Sequence, residues 1–189
     1  MRIGILGGSF DPPHLGHILV ARQVKEILNL DQIWLMPYFM HSWDSSVSLA
    51  SHRLAMSKLT QEKGIIVCDE EIKYKRKSYT IETARRLKKK YPHDFFWIVG
   101  SDVLADFKKW KEYEVLIKEI KFLVVSRSGN CLPPELPKGF NLVSSPEFIT
   151  SNISSSIIRQ RIGKRLSVDG LVPKPVLSYI QKNNLYKKS

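Results

Sequence analysis

The sequence predicts an α/β protein: a doubly wound, Rossmann-like parallel sheet with helices on both faces and a small C-terminal helical region. Three observations predict it. Arg2 to His17 reads R-I-G-I-L-G-G-S-F-D-P-P-H-L-G-H, an apolar strand, a glycine turn and the start of a helix. Ile33 to Met36 then forms a second apolar run stopped by Pro37, and strand, helix and strand in so short a span make a right-handed βαβ unit with parallel strands. Phe95 to Val99 (F-F-W-I-V) is apolar without alternation, as a central strand covered on both faces should be. The 189 residues suit one domain, with a parallel-sheet core over 1–150 and a helical part over 151–189.

Each element has its own signal. Ile18, Ala21, Val24, Ile27 and Leu28 recur at helical spacing, so the first helix runs to about Leu28. Residues 38–51 form a serine-rich loop bearing Phe39, His41 and Trp43, placed at the carboxyl end of a parallel strand where ligands bind. His52 to Met56 begins a second helix, in which Arg53 suits either a phosphate or a structural ion pair. Ile65 to Val67 is a short third strand. Asp69, Glu70 and Glu71 follow; paired carboxylates can hold Mg²⁺ or act as acid and base, but a solvated turn pairing with nearby lysines is the simpler reading. Ser78 or Thr80 can cap the next helix, with Ile81, Ala84, Leu87 and Tyr91 on its apolar side. Lys121 to Val125 is strand five, Asn130 to Gly139 a loop with three prolines, and Phe140 to Val143 a weaker edge strand. Pro175 stands at the start of a terminal helix, and the tail 187–189 is expected to fray.

Composition narrows the function. No apolar run is long enough to span a bilayer and no signal segment stands at the start, which points to a cytoplasmic protein. Cys68 and Cys131 are isolated, so neither a disulfide framework nor a zinc site is supported. The net charge of +12 favours anionic partners. The basic runs 73–77, 85–90 and 108–111 read mainly as solvated surface, and no DNA- or RNA-binding module is evident. There is no Walker sequence, and Gly4, Gly7 and Gly8 do not make G-x-G-x-x-G.

The chemistry gathers at the first turn. Gly7 and Gly8 let backbone approach phosphate, and the helix from about His14 aims N–H groups and partial positive charge at the same place. His14 and His17 share one helix face. Two imidazoles there can donate to phosphate oxygens as charge builds during displacement. Packing and capping would explain one such histidine, but less readily two after a glycine turn. Gly100 would let a base or ribose lie against backbone, and Asp102 can accept from a ribose or cap the following helix. Further on, Ile153-Ser154-Ser155-Ser156-Ile157-Ile158-Arg159 sets serines at a helix start and a guanidinium one turn in, able to present a planar fork to phosphate.

Gly7 to His17 resembles the signature of the nucleotidyltransferase superfamily, a phenylalanine, a proline and H-x-G-H; within it the chain resembles bacterial-type nicotinate mononucleotide adenylyltransferases over nearly its whole length. The resemblance extends to His52-Arg53-Leu54-Ala55-Met56, Ser78-Tyr79-Thr80, Gly100-Ser101-Asp102 with Trp110, Arg127-Ser128-Gly129, and the Ile153–Arg159 stretch, where Ser156 replaces a threonine. It departs after strand two, where Met40-His41-Ser42-Trp43 stands in place of a basic P-P-H-K element. The resemblance implies adenylyl transfer from ATP to nicotinate mononucleotide. His14, His17 and Arg159 would be catalytic. Gly7, Gly8, Ser9, Phe10, Gly100, Asp102, Ile153, Ser154, Ser155 and Ser156 would bind ATP. Ser78, Tyr79, Thr80 and Trp110 would bind the mononucleotide, with the indole on the pyridine ring. Mg²⁺ would arrive with ATP rather than occupy a dedicated protein site. The expected partners are these two nucleotides, with neither nucleic acid nor membrane; monomer and homo-oligomer stay open. A sister transferase using nicotinamide mononucleotide or another phosphorylated acceptor is the alternative. A non-catalytic nucleotide or nucleic-acid binder is the second, and a class I tRNA synthetase lacks its K-M-S-K-S segment here.

Overall fold

The computed structural model describes residues 1–40, 47–126 and 135–187. Its centre is a sheet of six parallel strands in the order β3-β2-β1-β4-β5-β6. The strands are β1 (Arg2–Gly8), β2 (Gln32–Pro37), β3 (Ile65–Val67), β4 (Asp94–Gly100), β5 (Lys121–Val125) and β6 (Phe140–Leu142). The helices are α1 (Leu15–Ile27), α2 (Ala50–Lys58), α3 (Glu70–Lys73), α4 (Thr80–Lys90), α5 (Tyr113–Glu119), α6 (Ser155–Gly163) and α7 (Lys174–Lys182), with a 3₁₀ helix over Ser101–Lys109. The doubly wound expectation is met, including the edge position of β6.

Period-two geometry sends alternate side chains to opposite faces. Ile3, Ile5, Trp34, Met36, Trp97, Val99, Phe122 and Val124 meet Ile81, Ala84 and Leu87 of α4 and Leu116 of α5. Ile33, Leu35, Ile98, Leu123 and Val125 face the other way, onto Ile18, Ala21 and Val24 of α1. Each fully buried aliphatic side chain is worth about 1.5–3 kcal/mol, so the apolar stripes read from the sequence are what close the two layers. A third cluster joins Ile158, Val168, Val172, Val176 and Ile180 with Met56 of α2. The helical part after residue 150 is therefore built onto α2.

Several local expectations need correcting. Gly7 and Gly8 do not form the turn: they pair with Met36 and Pro37 inside the sheet, and the turn runs over the residues between Gly8 and α1. The N-cap position of α4 is Tyr79, with no side-chain cap, so neither Ser78 nor Thr80 caps it. The N-cap position of the 3₁₀ helix is Gly100, not Asp102. Asp69 and Glu70 do pair with Lys73 and Lys90, but Glu71 turns inward. His41, Trp43, Arg127, Ser128, Gly129 and Cys131, with the end of the tail, lie outside the described residues.

Candidate active site

The sheet order reverses between β1 and β4, and ligands of open α/β sheets bind outside the strand ends at such a point. A cleft of about 670 Å³ lies there. Gly7, Gly8 and Ser9 from the end of β1, with His14 and His17, form one wall. Gly100 at the end of β4 and Asp102 just beyond it line it too, as do Ile153, Ser154, Ser155 and Ser156 around the start of α6. Ser78, Tyr79, Thr80 and Trp110, at the start of α4 and the end of the 3₁₀ helix, complete the lining. Fifteen of the seventeen residues singled out from sequence thus line one cavity. Phe10 and Arg159 do not.

Phe10 is fully buried and its backbone is left-handed, with φ +50°. Holding a bulky residue there costs of order 1–3 kcal/mol; burial of the ring offsets it. The phenyl lies beneath the site, its centroid 4.9 Å from that of His17. It supports His17 from behind rather than lining the cavity itself.

His14 occupies the N-cap position of α1 with extended backbone, and its N–H donates to His17 Nδ1 at 3.2 Å. That bond makes Nδ1 an acceptor and puts the proton of the neutral ring on Nε2. The two rings stack at 3.7 Å. Gly16 lets a second segment come close: a Cβ there would lie 2.9 Å from Ser151 Oγ and 3.0 Å from His14 Nδ1.

Two bonds stitch α6 to the turn. Ser155 Oγ donates to the Pro12 carbonyl at 2.8 Å, and Arg159 Nη1 to the Asp11 carbonyl at 2.8 Å. Ser154 caps α6, its hydroxyl accepting from Ile157 N–H at 3.2 Å. Arg159 therefore sits on the flank of the histidine turn, 27% exposed, beside the cleft wall.

Asp11 was singled out by nothing in its own stretch, yet three distant segments meet on it. Its carboxylate is buried, accepting from Ser48 N–H at 3.0 Å and from Tyr186 O–H at 2.6 Å, with Arg159 Nη1 4.0 Å away. Burial first, then the Asp11 charge and this hydrogen bond, push the Tyr186 phenol well above its ordinary range, so it stays a donor. Arg53 is fully buried and does not line the cleft. Its guanidinium donates to the carbonyls of Ser48, Ser9 and Phe39 at 2.9, 2.9 and 2.7 Å and lies over Tyr38. Burial lowers its pKa, while Tyr38, Asp11 and Tyr186 pull it back up.

The centroid of the Tyr79 ring is 5.3 Å from the Lys77 ammonium and 4.6 Å from that of Lys111. Trp110 is half-buried, packed on Phe107 at 5.1 Å. Glu71 also lines the cleft and accepts from Thr83 Oγ1 at 2.8 Å; burial raises its pKa, against the pull of Thr83, Ser78 and Arg86. Thr150 and Ser151 line it too, held by Gln23, whose amide both donates to and accepts from the Ile149 backbone. Their place just before Ile153 was the only sequence signal for them. Among the described residues no group of three or more His, Cys, Asp or Glu side chains could hold a metal ion, and no helix is long and apolar enough to cross a membrane.

A parallel sheet with two helix starts, paired imidazoles and an aromatic end wall at its switch point is the architecture of a nucleotide-binding α/β protein. The cytidylyltransferase-like family model matches residues 5–161. A relative from Exiguobacterium sibiricum, named "Probable nicotinate-nucleotide adenylyltransferase", is 40% identical over 98% of this chain and 99% of its own length. One of the same name from Bacillus licheniformis is 40% identical over 98% of both. The solved Plasmodium falciparum nicotinic acid mononucleotide adenylyltransferase complexed with NaAD superposes with a TM-score of 0.82 at 26% identity, covering 98% of this chain and 97% of that one. The same Plasmodium enzyme complexed with APC gives 0.80 at 25% identity, over 98% and 96%. This chain belongs to the cytidylyltransferase-like family, and within it to the nicotinate-nucleotide adenylyltransferases.

Proposed function

We propose that the protein transfers the adenylyl group of ATP to nicotinate mononucleotide, giving nicotinate adenine dinucleotide and pyrophosphate in NAD biosynthesis. A mononucleotide phosphate oxygen bonds to the α-phosphorus of ATP, the bond from that phosphorus to the bridging oxygen breaks, and pyrophosphate leaves with the electron pair. The nucleophile is already an anion, so catalysis is positioning and charge neutralisation. One observation carries the reading: the histidine turn, the serine helix start of α6 and the Tyr79–Trp110 wall, far apart in sequence, share one cleft.

In this reading His14 and His17 donate to the α- and β-phosphates, and Arg159 reaches them from the flank of the turn. Gly7, Gly8, Ser9, the Phe10 backbone and the start of α6 from Ile153 to Ser156 receive ATP, with Gly100 and Asp102 at its nucleoside. Ser78, Tyr79, Thr80 and Trp110 receive the mononucleotide. Mg²⁺ brought with ATP, as part of the substrate, would supply charge neutralisation at the phosphates. The 1–150 core and the 151–189 helical part act as one unit, since the cleft draws on both. A cytoplasmic location goes with these substrates.

Pyrophosphate release from ATP with nicotinate or nicotinamide mononucleotide tests the reading. Release with nicotinate mononucleotide, falling by about 10²–10³ in His17→Ala with the melting temperature kept, is expected. Near-normal turnover in that variant overturns it, and a preference for the amide moves the assignment to the sister activity.

A further inference from the structure

We propose that Asp11 and Tyr186 are positioning residues for the transfer reaction: a buried carboxylate, latched by a tyrosine from the far end of the chain, sets where the Arg159 guanidinium stands. This inference rests on the functional reading above. Two cations lie around one anion. Arg53 is fully buried and committed to three carbonyls, so it cannot leave. Arg159 is partly exposed and held to the turn by Nη1 alone, its other four N–H groups making no hydrogen bond to the described residues. The Asp11 carboxylate is the countercharge that lets both guanidinium groups sit beside the turn, and removing that charge drives out the one that can move.

The carboxylate itself is aimed. Ser48 N–H takes Oδ2 and Tyr186 O–H takes Oδ1, which stops it swinging into a two-pronged bond with Arg159. Arg159 thus stays bound through the Asp11 carbonyl, with the remaining four N–H groups of its fork left for an incoming anion. Removing the tyrosine hydroxyl frees Oδ1 to capture the guanidinium and withdraw it from the phosphates. The departing pyrophosphate carries more charge in the transition state than in bound ATP, so a misplaced Arg159 lowers kcat more than it raises KM for ATP.

A double-mutant cycle on kcat tests this. Tyr186→Phe and Asp11→Asn should each lower kcat by about tenfold or more, the scale of one hydrogen bond to a charged group, with KM for ATP changed less than about threefold. In an Arg159→Ala background either substitution should cost less than about twofold. If the factors multiply instead, or if melting falls while the kcat of folded protein holds, the two residues only stabilise the fold and the proposal is overturned. Asp11→Asn risks misfolding; Tyr186→Phe removes a single atom and carries the test alone in that case. A wild-type protein that releases no pyrophosphate with either mononucleotide overturns the functional reading and this inference together. An active wild type with multiplicative factors overturns this inference only.

Discussion

Arg53→Met should be among the most destabilising single changes in the protein. The methionine keeps most of the stem, so little cavity forms; what is lost is the fork. Three charge-assisted bonds of 2.7–2.9 Å disappear, and the carbonyls of Ser9, Phe39 and Ser48 lose their donor. A stranded buried acceptor costs about 1–3 kcal/mol. All three residues are only partly buried, so water recovers some of this, and a total of about 3–5 kcal/mol follows. Against a typical stability of about 5–15 kcal/mol that is a large share. With a urea slope of about 2 kcal/mol/M the unfolding midpoint should fall by about 1.5–2.5 M. Arg53→Lys should fall between, since one ammonium cannot span three carbonyls. A shift below about 0.5 M, paired with a raised KM for ATP, would return Arg53 to the phosphate-binding role and refute the reasoning.

Gly16→Ala should cost about 1–3 kcal/mol by overpacking and lower turnover, because its Cβ would displace either Ser151 or His14; adding Ser151→Gly should recover part of both, and no recovery would count against the contact. Burial raises the Glu71 pKa, so the folded protein holds that proton more tightly than the unfolded chain, and stability falls as pH rises from the ordinary carboxylate value through the folded one. Glu71→Gln should therefore melt higher than wild type above that window and match it below about pH 4; a gap independent of pH would contradict this. Cys68 is buried and its thiol is pushed up to about 11 by burial. In a Cys131→Ser background, thiol labelling at pH 8 should be about 100-fold slower in native buffer than in denaturant, and equal rates would show that Cys68 is accessible.

The central strands were readable because they are runs of apolar residues that end on a local breaker: Pro37 is the last residue of β2 and Gly100 the last of β4. Most of the cleft was readable too, since its backbone donors come from short segments whose serines, glycines and histidines advertise helix starts. What escaped depended on distance along the chain. Arg53 looks, in its helix, like any arginine open to an anion; its three acceptors come from two separate loops. Asp11 sits between a phenylalanine and two prolines with no hint of a tyrosine 175 positions away. Ser78 and Thr80 are good capping residues by type, yet tertiary packing started α4 after an uncapped Tyr79. The 3₁₀ form of Ser101–Lys109 likewise has no signature separable from an α-helix.

The hydrogen bond from Tyr186 to Asp11 also orders events in time. A nascent chain can assemble all six strands once residue 142 has been made, and domains tend to fold from the N-terminal side as they are synthesised. Until the distant phenol emerges, Ser48 holds one oxygen of Asp11 and the other lacks its donor. The closing residues of the chain thus complete both the third apolar cluster and the ring of donors around Asp11, so the turn that carries the histidines is finished last.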